Sequence, residues 1–222
     1  MPSLQPRLKT VLLAAGSSRR FGADKLVAPL SDGTPMVLAT AHVLLAAGAD
    51  VLAVVREGPG ASQSGAASLL DGMVGVEVLV CPEADRGLGH SLACGVRHSA
   101  GAAGWLVALA DMPWVRPQTV TALLDVLAHG ASLTAPRCAG RRGHPVGFAA
   151  RWLDALGRLS GDIGARDLLA RHHQQLTLVD VEDQGVLLDL DRPADLAAAP
   201  AQLGRMQPPI PRPRKDNGTH KR

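Results

Sequence analysis

In the stretch VLLAAGSSRRFGADKL, residues 11–26, an apolar run breaks into a small-residue loop that ends in a lysine. Gly16, Ser17 and Ser18 carry little bulk, so backbone N–H groups can converge on an anion and the two hydroxyls add donors. Arg19, Arg20 and Lys25 bring positive charge to the same loop. That composition suits a phosphate cradle, and it equally suits a polar glycine turn with solvated basic side chains. Spacing excludes two phosphate motifs. Counted from Gly16, the second glycine of a Walker A loop falls on Phe21, and Gly22 is followed by Ala23 rather than lysine; Ser18 breaks a dinucleotide GxGxxG.

A triphosphate needs a divalent cation, and Mg²⁺ takes one or two carboxylates besides phosphate oxygens. Asp111, in ALADMPWV, stands just past an apolar run, and Pro113 keeps the chain after it extended. Asp189 and Asp191, in DLDRPADL, are two residues apart and would face one side of a strand. Each also has a plainer role open to it: a turn or cap for Asp111, and the cap of a helix starting at Pro193 for Asp191.

The elements that must position these groups read as an α/β pattern. Near-continuous apolar runs at 10–14, 51–55, 76–80 and 105–110 are expected for parallel strands covered on both faces. Between the first two, Thr34 can cap a helix, Pro35 suits its first turn and Gly48 its exit. Further helices are expected over 62–70, 90–99 and 118–128. The second half is less regular. HPVGFAA, LTLVDV and VLLDL read as strands, and ARWLDALGRL and GARDLLARHH as helices. The fold class expected is α/β: a Rossmann-like, doubly wound, mostly parallel sheet with helices on both faces. Ligands bind outside the carboxyl ends of such strands, where the 11–26 loop and Asp111 both fall.

Composition agrees with one packed domain. Of 222 residues, 46% are hydrophobic but only 2% aromatic, so Ala, Leu and Val must build the core. The net charge of +3 is uneven: residues 205–222 hold six basic residues against Asp216, leaving the rest mildly acidic. A domain over 1–203 and a basic, proline-rich, disordered tail over 204–222 are expected. The tail reads as a solvated end, with no nucleic acid expected as partner. Cys81, Cys94 and Cys138 form no CxxC pair, and the N-terminus has no apolar signal core. No run approaches the roughly 20 apolar residues of a membrane span, so a cytoplasmic protein with no membrane partner is expected.

LAAGSSRRFGADK resembles the L-A-[AG]-G-x-S-x-R-[MF]-G-x-x-K signature of the MobA-like nucleotidyltransferases, which attach a nucleoside monophosphate to a phosphorylated acceptor. The resemblance implies a glycosyltransferase-A-like version of the α/β fold. It implies that Gly16, Ser17 and Ser18 wrap the triphosphate, that Arg20 and Lys25 neutralise it, and that Arg19 sits at a variable position. ALADMPWV resembles the family's L-x-D-M-P, whose Asp holds the metal, here Asp111. DLDRPADL resembles D-[IV]-D-T-P-E-D-L, with Arg192 where Thr is usual, and would make Asp191 the second ligand of Mg²⁺. RGLGHSLACGV resembles G-[ML]-x-x-S-L-x-x-G, which implies Ser91 and Leu92 beside the nucleobase, with Gly87 and Gly95 permitting close approach.

RRGHPVGF and GDIGARDLL look like the acceptor half of the molybdenum cofactor cytidylyltransferases. That implies Arg142, His144 and Arg166 as acceptor contacts, although a His before Pro also has a structural role open to it. Ala14-Ala15-Gly16 is similar to the cytidylyl group, whereas guanylyl relatives usually show Ala-Gly-Gly. The activity implied is CMP transfer from CTP to the molybdopterin phosphate, with a recipient molybdoenzyme or chaperone as a further partner. Guanylyl transfer and transfer to a sugar phosphate stay open. So do two other classes, a nicotinamide-dependent oxidoreductase and a non-catalytic nucleotide sensor.

Overall fold

The computed structural model describes residues 7–16, 24–58 and 64–190. Its first half alternates strand and helix: β1 (Leu8–Ala14), α1 (Met36–Ala46), β2 (Val51–Arg56), α2 (Gly65–Asp71), β3 (Val76–Cys81), α3 (Leu88–His98), β4 (Gly104–Leu109) and α4 (Pro117–Ala128). The second half holds β5 (Leu133–Cys138), β6 (Arg141–Arg142), β7 (Val146–Ala149), α5 (Leu153–Gly157), α6 (Arg166–Arg171) and β8 (Leu176–Asp180).

The sheet runs β3-β2-β1-β4-β7-β5-β6, with β8 paired to β5. Pairs β1–β2, β1–β4, β2–β3 and β5–β8 are parallel, while β7 lies antiparallel between β4 and β5. Side chains alternate across each strand. On β1, Leu12 and Ala14 join the core under α1, α2 and α4, whereas Val11 and Leu13 join the core under α3, α5 and α6. Two apolar layers on one sheet make the doubly wound α/β architecture expected from the alternating runs.

Several local expectations are corrected. Thr34 does not cap α1; Pro35 occupies that position, and the Thr34 N–H donates to Asp32 Oδ1 at 2.9 Å. Gly48 does follow the helix end, at φ +74°. VLLDL is no strand but begins in the 3₁₀ turn Gln184–Leu187. Strand β5, sequence LTAPRC, has no counterpart in the apolar runs, because Pro136 and Arg137 interrupt its pattern. Strand order reverses between β1 and β4, which leaves a crevice at their carboxyl ends. The expected tail at 204–222 lies outside the described residues.

Candidate active site

Lys25 and Asp111 meet at that crevice. Asp111 follows β4 by two residues, and the Ala110 N–H donates to the Leu13 carbonyl at 3.2 Å, holding the two strand ends together. Lys25 opens the 3₁₀ turn Lys25–Val27, whose start is capped by Asp24. From there Lys25 Nζ donates to Asp111 Oδ2 at 2.7 Å and to the Leu190 carbonyl at 2.8 Å. The Leu190 N–H donates in turn to the Asp111 carbonyl at 3.2 Å. The other carboxylate oxygen, Asp111 Oδ1, is buried and accepts no hydrogen bond among the described residues. A buried, unpaired carboxylate oxygen is costly, and a cation beside it removes the cost.

A clasp near the end of the described chain brings Leu190 to this place. Buried Asp183 accepts from the Arg116 N–H at 2.8 Å, Thr119 Oγ1 at 2.7 Å and the Gly185 N–H at 3.0 Å. It therefore ties the start of α4 to the turn at 184–187. Gly185 passes so close to the Trp114 carbonyl that a Cβ would collide with it, and Gly143 lies equally tight against Val186. The His144 N–H donates to the Val186 carbonyl at 3.0 Å, so the Gly-His-Pro turn rides on the same clasp. Desolvation, reinforced by the nearby Arg142 charge, pulls the half-buried His144 imidazole below its usual pKa; Asp111 and Asp189 pull the other way. Arg142, Asp111 and Asp189 thus each lie within electrostatic reach of His144.

A second cleft, of about 310 Å³, opens beside the loop that leaves β1. Ala15, Gly16, Asp85, Arg86, Gly87, Leu88, Ser91 and Asp162 line it. Gly87, at φ +121°, has no room for a Cβ, because Gly161 and the Asp162 carboxylate press against it. Gly95 sits close over Val54 and Val11 and lets α3 approach the sheet.

The residues singled out from sequence therefore divide. Lys25, Asp111, Arg142 and His144 gather at one place, while Ala15, Gly16 and Ser91 line the adjoining cleft. Ala14 is buried at the end of β1, and Leu92, 1% exposed, packs into the core below α3 and does not line the cleft. Arg166 is exposed on the first turn of α6 and is not among the groups acting on His144. Ser17, Ser18, Arg19, Arg20 and Asp191 lie outside the described residues. Among the described residues no three His, Cys, Asp or Glu side chains converge on one metal position. Mg²⁺ fits nonetheless, since it needs only one or two carboxylates besides phosphate oxygens, and Asp111 Oδ1 is an acceptor without a donor. Sequence reasoning missed Asp183, Gly143, Gly185 and Asp162. For Gly185, a glycine between an acid and an apolar run was the available signal.

Across residues 10–176 the sequence matches the MobA-like NTP transferase domain, and the chain belongs to that family. It is 30% identical over 196 residues to the purine catabolism protein PucB of Bacillus subtilis (strain 168), covering 86% of this chain and 94% of that one. It is 31% identical over 195 residues to the nicotine blue oxidoreductase of Paenarthrobacter nicotinovorans, covering 84% and 93%. Among solved structures, Rv0371c of Mycobacterium tuberculosis H37Rv superposes with a TM-score of 0.73 at 30% identity, covering 86% of this chain and 96% of that one. The same mycobacterial protein has also been crystallised as a complex with manganese. No helix among the described residues is long and apolar enough to cross a membrane.

Proposed function

We propose that this nucleotidyltransferase-family protein transfers CMP from CTP to the terminal phosphate of molybdopterin and releases pyrophosphate. The observation that carries the proposal is the Lys25–Asp111 pair at the β1–β4 crevice, with Asp111 Oδ1 buried and unpaired. An acceptor phosphate oxygen attacks the α-phosphorus. One P–O bond forms as the bond to the β-phosphate oxygen breaks, and pyrophosphate leaves with its charge. Phosphate is already ionised near neutral pH, so no general base is needed.

The residues of the chain supply position and charge. Lys25, held between Asp111 and the Leu190 carbonyl, neutralises the leaving pyrophosphate together with Arg20. Gly16, Ser17 and Ser18 wrap the phosphates, with Ala14 and Ala15 beneath them and Ser91 beside the nucleobase, Leu92 backing that turn of α3 from the core. His144 and Arg142 receive the anionic acceptor beside Asp111, whereas Arg166, exposed on α6, is not brought to them. Asp111 and Asp191 would hold a divalent cation such as Mg²⁺, which would supply Lewis-acid neutralisation of phosphate charge; the manganese complex of Rv0371c supports a divalent cation.

The likeness to an oxidoreductase favours one competing reading, hydride transfer with a nicotinamide nucleotide. Thermal unfolding with Mg²⁺ and each of CTP, GTP, ATP, UTP and NADH separates the readings. A ligand at 100 times its Kd adds about 2.7 kcal/mol, which raises the midpoint by roughly 5–11 °C for a domain of this size. The largest shift is expected with CTP, followed by metal-dependent pyrophosphate release with a pterin acceptor. A GTP preference would select guanylyl transfer, and a shift with NADH alone would reject nucleotidyl transfer.

A further inference from the structure

The GDIGARDLL stretch reads from sequence as part of the acceptor half, yet its first residues fold onto the nucleotide side. The Gly89 N–H donates to the Gly161 carbonyl at 2.8 Å, and the Gly161 N–H donates to His90 Nδ1 at 3.1 Å. Both partners belong to the first turn of α3. Gly87 and Gly89 have no space for a Cβ because the 160–162 backbone lies on them, and Gly164 packs against Leu88. The loop is therefore pinned by two hydrogen bonds and three close contacts. Asp162 emerges from it into the cleft of about 310 Å³ that starts at Ala15 and Gly16.

Ser91 lines the same cleft, is 2% exposed, and its hydroxyl makes no hydrogen bond among the described residues. A hydroxyl that opens into a cleft beginning at Ala15 and Gly16, and that makes no hydrogen bond to the described protein, is free to bond a polar ligand lying there. Asp162 supplies what Ser91 lacks, a charged acceptor that cannot donate. Base edges differ in this respect: cytosine presents an amino donor where uracil presents a carbonyl acceptor, and a carboxylate pairs only with the donor. Asp162 is exposed at the edge of the cleft, so its discrimination rests on a backbone that α3 holds in place.

We infer that Asp162 reads the nucleobase, accepting from an exocyclic amino group, so that the cleft takes amino-bearing nucleoside triphosphates and rejects their oxo analogues. The inference rests on the nucleotidyltransferase reading and gives it a specificity-determining residue. The experiment is nucleotide binding by calorimetry with Mg²⁺, on the wild type, Asp162→Asn and Asp162→Ala. The probes are two pairs in which an amino group is replaced by an oxo group, CTP against UTP and GTP against XTP.

The wild type is expected to favour the amino-bearing member of the pair it binds, by about tenfold, as for a hydrogen bond to a charged group. Asp162→Asn, which can also donate, is expected to remove that preference and to improve UTP binding. Asp162→Ala is expected to lose the preference without gaining UTP. A preference unchanged in both variants overturns the role of Asp162 and leaves nucleotidyl transfer standing. A wild type that binds no triphosphate at all overturns both.

Discussion

At the scale of single residues, the site turns on one carboxylate with two unlike oxygens. Asp111 Oδ2 is neutralised by Lys25, while Oδ1 has no partner among the described residues. Asp111→Ala is expected to abolish metal-dependent pyrophosphate release, and activity above a tenth of wild type would exclude Asp111 as a ligand. Lys25→Met removes the partner of Asp111 Oδ2, and a loss of about 10²–10³ in kcat is expected, typical of deleting one charge-stabilising donor. Away from the site, burial together with a hydrogen bond to Cys94 pushes the Cys81 thiol up to about 11. At pH 8 roughly one molecule in a thousand then carries the thiolate, which is the reactive form. Iodoacetamide at that pH should spare Cys81 in the native protein and modify it in urea, as read by peptide mass spectrometry.

At the scale of elements, the decisive piece is the clasp from Asp183 to Leu190. It has almost no regular structure, yet it joins α4, the Gly-His-Pro turn and Asp111. Asp183→Ala removes three acceptor contacts from a buried position and should cost about 2–4 kcal/mol. The thermal midpoint should fall by roughly 4–16 °C, and pyrophosphate release at permissive temperature should fall with it, because Leu190 helps hold Lys25. An unchanged midpoint would show that the clasp carries no stability. Gly185→Ala should act in the same direction, since its new methyl collides with the Trp114 carbonyl.

At the scale of the whole molecule, the Lys25–Asp111 pair and a second charge cluster around Lys9 stand at opposite ends of β1. Lys9 on β1 donates to Asp50 at 2.9 Å and to Glu77 on β3 at 3.2 Å, and His98 reaches Glu77 at 2.7 Å. The His98 hydrogen bond, then Lys9, holds the Glu77 carboxyl below the usual carboxylate range against a partial desolvation cost. A depressed carboxylate contributes stability that is full above the unfolded value and is lost as pH falls through the folded one. Urea midpoints measured from pH 6 to pH 3 should therefore drop less steeply for Glu77→Gln than for wild type. The effect will be small, because these groups are largely solvated.

Much of this was legible in the chain itself, for reasons that differ by residue. Strands β1, β2 and β4 are buried on both faces, so each must be apolar almost throughout, and that requirement writes itself into sequence as a near-unbroken run; β3, at the sheet edge, is only half covered and carries Glu77. Asp111 and Lys25 were legible because a strand end and a small-residue loop are local features. Strand β5 was not, since Pro136 and Arg137 are tolerated only through its pairing with β7, β8 and the Gly143 N–H. Nor could local pattern show that Asp183 would carry three hydrogen bonds, or that Asp162 would line the cleft beside Ala15 and Gly16. Those placements depend on pairs such as Gly185 with Trp114 and Gly161 with Gly89. Their close approach is set by the packing of segments more than 70 residues apart in the chain. Sequence determined the layers and the rim where ligands bind; tertiary packing decided which side chains share that rim.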